Sequence, residues 1–508
     1  MPDDQPPRLR RGIFTRFFVG GVLIVLLSAG TTLTFTLETV GQVAHNLALG
    51  GQQIKSPALT ADQAGAAQTI LVIGSDRRAQ SKDVFDRSDP PHTDTILLVR
   101  MDPVQGQTSV MSVPRDLLVS FNGPKGYYPD QKINAAYTYG GAPLTLKVLA
   151  QTLPGLKINH VIDLNFASFR QVVDAIGCVY VDVDRRYYNL NIGTPETDYA
   201  NIDIQPGYQK LCGQTALDYV RFRHTDSDFV RVARQQDFIR QAKEQVGVTG
   251  LINNYGQITS AFGRAVLTDI RGTTDVLRLL KLAAFSLGRP VRQVKFQVAS
   301  ENYTLNKQSF VESTPELIAA TVKDFLHGQE HVHIAHSTHV SGSTHASGSA
   351  RTHRTSSAKG PSPAAVGLYA LGSAQSDQIA AGLVSVPFRP QLPRYVTGPA
   401  HLNDVHPFTI RDEQGHLHHG YRVDWRQTAV GGYYGFEAMD WTNPPLFATP
   451  TETLRMGGRT YLLVDDGSHI HAVGWREHGL LYWVSNTWLE DLSNPQMLTL
   501  ARTVRPLH

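Results

Sequence analysis

The stretch TILVIGSDRR, residues 69–78, sets the fold. Ile70, Leu71, Val72 and Ile73 form a short β-rich run closed by Gly-Ser-Asp turn chemistry, a strand that runs into Asp76. TILLVR (95–100) and TSVMSV (108–113) repeat the pattern, and helical periodicity follows at 143–153, 165–176, 229–247 and 274–287. The mixture predicts one α/β domain. If the first three strands form an antiparallel meander, the end of the first, the start of the second and the end of the third share one edge. Asp76, Asp94 and Arg115 then meet. Two carboxylates beside an arginine suit a divalent cation bridging phosphate oxygens, although ordinary turns and surface ion pairs would explain the same residues.

A second group of cations lies further along. In ALDYVRFRH (216–224), Arg221 and Arg223 are two apart and would face one side of a strand. In RVARQQDFI (231–239), Arg231, Arg234 and Gln235 fall at i, i+3 and i+4 on one helix face, with Asp226 or Asp228 as its cap. Four arginines so gathered make an anion clamp of the kind planar guanidinium groups offer pyrophosphate, and Lys132 and Asn134 add a cation and an amide; a solvated basic face is the plainer reading. The chain has no GxSxG elbow, no Walker loop and no HExxH helix. Such a site favours in-line attack on phosphorus by a bound hydroxyl over an enzyme nucleophile.

The chain has 508 residues, roughly three typical domains, and is 41% hydrophobic. Lys+Arg 47 against Asp+Glu 44 leaves +3, too balanced for a general nucleic-acid coat. Residues 1–16 form a basic tail, with Arg8, Arg10, Arg11 and Arg16 ahead of an uncharged apolar run at 17–37. About 21 residues span roughly 31 Å, one bilayer core, and the run exceeds the apolar stretch of a cleaved signal peptide, the competing reading. The arginines place the N-terminus in the cytoplasm and the bulk outside, in an oxidising compartment. There Cys178 and Cys212, the chain's 2 cysteines, would close a disulfide loop contributing about 3–4 kcal/mol; two separate buried thiols are the alternative.

Residues 38–67 read as a stalk, 68–328 as the α/β domain and 329–363 as a tether of Ser, Thr, His, Gly and Ala. The tether's histidines also admit a metal-binding reading. Residues 364–508 hold all 5 Trp and alternate strand patterns with Gly/Asp turns: a β-rich C-terminal domain of unknown role, ending in a helix capped by Ser493 or Asn494. The tether's composition predicts two domains that fold independently and come apart on cleavage between about 335 and 363.

The order ILVIGSDRR, HTDTILLVRMDP, SVMSVPRDLLV, KINAAYTYGG, LNFASFRQVVDAIG and LCGQTALDYVRFRHTDSDFVRVARQQDFI resembles the LytR–CpsA–Psr family of membrane-anchored cell-wall glycopolymer ligases, over about 68–290 and as far as 328. The resemblance implies an α/β/α sandwich with a central mixed sheet, holding a polyisoprenyl-pyrophosphate-linked glycopolymer with its headgroup at the arginines. It implies transfer of the polymer to a peptidoglycan hydroxyl at the cytoplasmic membrane, with no nucleic-acid partner. By motif position, Asp76 and Asp94 would hold Mg2+ (or Mn2+), and Arg115, Arg221, Arg223 and Arg231 the pyrophosphate, with Lys132, Arg234 and Gln235 beside them. Asp76, Asp94, Arg115 and Arg223 are the expected catalytic set. Where the family carries Arg before the second strand, this chain has His92, after an Asp-Pro-Pro insert, with Arg87 nearby. HAVGWREHGLLYWVSNTWLEDLSNPQMLTLARTV (471–504) resembles the β-rich lipoprotein-carrier and sigma-regulator sensor domains of bacterial envelopes. Two other functions use the same residues: a hydrolase with water as acceptor, and a non-catalytic envelope sensor.

Overall fold

The computed structural model describes residues 53–61, 63, 65–76, 91–193, 200–222, 226–246, 266–270, 278, 282, 291–328, 353–355, 361–398, 400–427, 432–466 and 469–507. The apolar run 17–37, most of the tether, most of the helix expected at 274–287, Arg87 and Arg223 lie outside the described residues. Among the described residues, no helix is long and apolar enough to cross a membrane.

The first unit is built on β1 (Gln68–Ser75), β2 (Thr93–Asp102), β3 (Gln107–Ser112), β4 (His160–Asn165), β5 (Val179–Val183), β6 (Gly207–Leu211), β7 (Val266–Thr268) and β8 (Val291–Val294). Six of these form one sheet in the order β7-β4-β1-β2-β3-β8. β1, β2 and β3 are the expected antiparallel meander, whereas β4 runs parallel to β1 and β8 parallel to β3, so the sheet is mixed. Its strands alternate between two cores. Leu71, Ile73, Ile96, Leu98 and Met111 face α1 (Ala135–Thr152), while Leu97, Val110 and Val291 cluster with Ile239. α2 (Phe166–Ala175), α3 (Gly213–Arg221) and α4 (Asp228–Gln245) follow, Ile239 belonging to α4, and α5 (Pro315–His327) packs on β3 and β8 and joins the same core as α1. Helices therefore cover both faces, the α/β/α arrangement. α1 is broken at Gly140 and Gly141, where φ reaches +62°, and resumes at Pro143, whose fixed φ suits a first turn.

α3 corrects one expectation. Residues 216–221 read as strand, but Gly213–Arg221 is helical and buries five successive residues from Ala216 to Val220. Packing of α3 against α2 overrides the aromatic and β-branched content that favours a strand. Cys178 and Cys212 are joined as a disulfide, which ties the turn after α2 to the N-cap of α3.

The second unit is an eight-stranded sheet: β9 (His353–Thr355), β10 (His401–Arg411), β11 (Leu417–Arg426), β12 (Tyr433–Met439), β13 (Glu452–Met456), β14 (Arg459–Asp466), β15 (His469–Glu477) and β16 (Leu480–Ser485). Their order is β9-β13-β14-β15-β16-β12-β11-β10. β9 comes from within the expected tether. α6 (Ser373–Gly382) and α7 (Asn494–Arg502) pack on it, and Ser493 caps α7 in a capping box with Gln496.

The two units share a buried interface. All five residues of β5, VYVDV, are buried, Asp182 among them. Asp182 accepts from Arg422 Nη1 at 2.6 Å and from Trp483 Nε1 at 3.0 Å, and Arg422 Nε donates to the Asp184 carbonyl at 2.9 Å. Arg422 is also ion-paired to Glu437, and both side chains are fully buried. Tyr180 and Tyr208 share one apolar cluster with Ile410, Met439, Leu446 and Phe447, and Trp488 enters the core of Val179, Val181 and Val183. Such an interface outlasts a nick. After proteolysis between 335 and 352, the two fragments should co-elute under native conditions and separate only in denaturant; separation in native buffer would show the contact to be weak.

Asp424, beside this interface, gives a pH signature. Burial, opposed by Arg422, lifts its pKa to about 7. The folded state thus holds a proton that the unfolded chain loses near pH 4, so this contribution is complete below about pH 4, falls as pH rises toward 7 and is flat above. The slope is at most about 1.4 kcal/mol per pH unit. Asp424→Asn should flatten the melting-temperature profile between pH 5 and 7 and melt above wild type at pH 8; an unaltered profile would reject the assignment.

Candidate active site

The meander places Asp76, Asp94 and Arg115 at one edge. Gly74 pairs with Thr95 and Ser75 with Thr93, with a bulge between, and the Asp76 amide donates to the His92 carbonyl at 3.2 Å. The Asp76 carboxylate accepts from the His92 amide at 2.7 Å, with the His92 ring Nδ1 3.9 Å away. Arg115, just past β3, reaches back with Nη1 to Asp94 at 2.7 Å. Its Nε lies 3.1 Å from Asp228 and 3.7 Å from Asp116. Burial works against the Arg115 charge, but Asp228, Asp116 and Asp94 together outweigh it and raise its pKa.

α4 enters the same edge by its N-terminus. Ser227 is its cap, accepting from the Val230 amide at 3.3 Å, so neither Asp226 nor Asp228 serves as expected. Asp228 instead bridges two cations: Arg115 and, at 3.0 Å, Arg231 Nη2. Lys132 pairs with Asp116 at 3.3 Å. Gln235 donates to the Val220 carbonyl at 2.9 Å and faces Thr95 Oγ1 at 3.3 Å, tying α4 to the first residues of β2. Arg221, on the last turn of α3, pairs with Asp218 at 2.7 Å and lies over the Phe166 ring.

Arg234 goes elsewhere. It is completely buried, ion-paired to Asp226, bonded to the Phe222 carbonyl and stacked over Tyr187. Asp226 also holds Arg185. This group ties α4 to the hairpin after β5 and does not reach the edge; one turn further along α4 than Arg231, Arg234 is received by Asp226, Tyr187 and Tyr219 in the core. Asp116 and Asp228 have direct places at the edge that sequence reasoning did not give them. The signal was present: acidic residues immediately after Arg115 and three before Arg231 are positioned to pair with them.

The fold and this edge define a class. The LytR_cpsA_psr family profile matches residues 33–324, and the chain belongs to that family. It is 28% identical over 238 residues to Biofilm regulatory protein A of Streptococcus mutans, covering 45% of this chain and 56% of that one. It is 26% identical over 257 residues to the polyisoprenyl-teichoic acid–peptidoglycan teichoic acid transferase TagT of Bacillus subtilis, covering 49% and 76%. Among solved structures, protein gbs0355 of Streptococcus agalactiae is 26% identical with a TM-score of 0.44, over 51% of this chain and 88% of that one. The chain spans about half the length of the first relatives it matches.

Proposed function

We propose that this protein is a membrane-anchored transferase that moves a glycopolymer from a polyisoprenyl-pyrophosphate carrier onto peptidoglycan. The observation that carries the reading is the edge cluster itself, in a chain of this family: Asp94 on Arg115, Asp228 joining Arg115 to Arg231, Lys132 on Asp116, and Asp76 on His92 at the same strand ends. Several relatives, TagT among them, are named as teichoic acid transferases acting between a polyisoprenyl-linked polymer and peptidoglycan. The apolar run 17–37 supports an anchor, and the disulfide supports an extracellular site for the bulk of the chain.

An acceptor hydroxyl oxygen bonds to the sugar-bearing phosphorus, the bridging P–O bond breaks, and its electron pair leaves with the lipid monophosphate, which takes up the hydroxyl proton. Arg115 holds Asp94 and Asp228 in place and offers its fork to a phosphate oxygen. Asp76 and Asp94, each more than a third exposed, are hard oxygen donors at one edge and fit Mg2+ or Mn2+, ions that retain part of their water shell. When bound, that ion supplies charge that polarises a phosphoryl oxygen. Among the described residues, Arg115, Lys132, Arg221 and Arg231 all face carboxylates, so a pyrophosphate must compete for them. Neutralising Asp94 eases that competition at Arg115.

Mass spectrometry of lipid co-purified with the full-length protein tests the reading. A polyisoprenyl phosphate or pyrophosphate is expected. Recovery of bulk glycerophospholipid alone would contradict it.

A further inference from the structure

A cavity of about 660 Å3 opens from Asp94, Arg115, Asp228 and Arg231 and runs between α4 and the β3–β8 side of the sheet. Its opposite wall belongs to the second unit: His469, Trp488, Leu489 and Glu490. We propose that the C-terminal unit completes an acceptor subsite here, shaped for a neutral or zwitterionic glycan strand; the inference rests on the transfer reading above.

The volume lies within the roughly 300–1,000 Å3 of small-molecule sites. Charge selects among ligands. Away from the ion-paired edge, the lining charges are Arg292 and Lys295 against Asp324 and Glu490, two of each sign. A polyanionic chain needs an excess of cations that this lining lacks. An alkyl chain would strip water from Gln107, Gln236, Gln293 and those charges without replacing their hydrogen bonds. A sugar ring satisfies both demands, presenting hydroxyl and acetamido groups to the carboxamides and its C–H face to Phe229 and Leu489.

The wall is also preorganised. Asn486 donates to the Ile470 and Leu492 carbonyls at 3.0 and 2.9 Å and accepts from the Leu492 amide at 3.0 Å. Thr487 and Asp491 exchange two bonds of 2.9 Å. Trp488 Nε1 donates across the units to Tyr187 at 3.3 Å, and Glu490, at φ +58°, pairs with His469 at 3.1 Å. A lip held this way needs little ordering when a ligand arrives. Its position also explains why the interface is built as it is: the contacts that seat the second unit on β5 fix Leu489 opposite α4.

The test uses full-length protein in detergent and, as probe, an uncharged tetrasaccharide of β-1,4-linked N-acetylglucosamine. Leu489→Arg should weaken tetrasaccharide binding at least tenfold and Lys295→Ala about threefold, with lipid retained per mole and melting temperature close to wild type. Lys295 is exposed, so that variant remains informative if Leu489→Arg unfolds. No binding by wild type, wild-type binding by both variants, or tighter binding of a poly(glycerol phosphate) oligomer would overturn the proposal. Loss of binding in the variants, with no polymer transfer by wild type, would retain the subsite and reject the transfer reading. Normal transfer with an unchanged acceptor KM in both variants would do the reverse.

Discussion

Arg115→Ala is expected to reduce polymer transfer by about 10²–10³-fold and to lower lipid retention with it. The side chain does two jobs at once. Its Nη1 holds Asp94 at 2.7 Å and its Nε holds Asp228 at 3.1 Å, which in turn orients Arg231. Removing it brings Asp94, Asp116 and Asp228 together without a shared cation, so the edge repels the headgroup it should capture. Lysine is a poor substitute, because a point charge cannot serve carboxylates on both sides as a planar fork does. Asp94→Ala should behave differently: it leaves Arg115 in place with one carboxylate fewer, so lipid retention should hold while transfer falls. That split separates ground-state binding from transition-state stabilisation. Parallel effects in the two variants would reject the division of labour. Undiminished transfer in either would remove that residue from the site.

Arg422→Leu is expected to destabilise the chain by about 3–5 kcal/mol and to loosen the second unit from the first. Arg422 is buried between Asp182 of β5 and Glu437 of β12, and a Cβ at Gly435 would overlap its guanidinium. Burial would raise the Asp182 pKa, but Arg422 and the bonds from its neighbours outweigh that and hold it low. Glu437 goes the other way: burial, reinforced by the Asp182 charge, raises it far above the carboxylate range. Loss of Arg422 therefore leaves two buried carboxyl groups side by side without their shared cation, and Asp182 with little beyond Trp483 Nε1 to receive its charge. The measurable result is a lower melting temperature together with dissociation of the nicked fragments in native buffer. A nicked Arg422→Leu chain that stays assembled and melts as wild type would show that the apolar contacts around Tyr180, Tyr208 and Trp488 suffice.

Much of the first unit was legible because its signals are local. The aliphatic runs of β1, β2 and β3 and the turns between them specify a meander, and a meander alone brings Asp76, Asp94 and Arg115 to one edge. α3 was misread because Tyr219, Val220 and Phe222 favour a strand, although Gln214, Asp218 and Arg221 stand at helical spacing and pair that way, Gln214 to Asp218 at 2.8 Å. Arg234 illustrates the limit of a helix-face argument: Arg231 and Arg234 share a side of α4, yet one meets Asp228 at the cleft and the other Asp226 in the core. The interface was hidden for a further reason. Asp182 and Arg422 lie 240 positions apart, and nothing in either segment indicates that its polar residue is paired inside the molecule.

The central claim is coupled transfer, and stoichiometry tests it most directly. Full-length protein with Mg2+, a polyisoprenyl-pyrophosphate-linked glycopolymer and undecorated peptidoglycan should release one lipid monophosphate for each polymer chain attached. Release should nearly cease when peptidoglycan is omitted. Equal release of lipid monophosphate with and without peptidoglycan, and no polymer on the wall material, would contradict the account and identify a hydrolase.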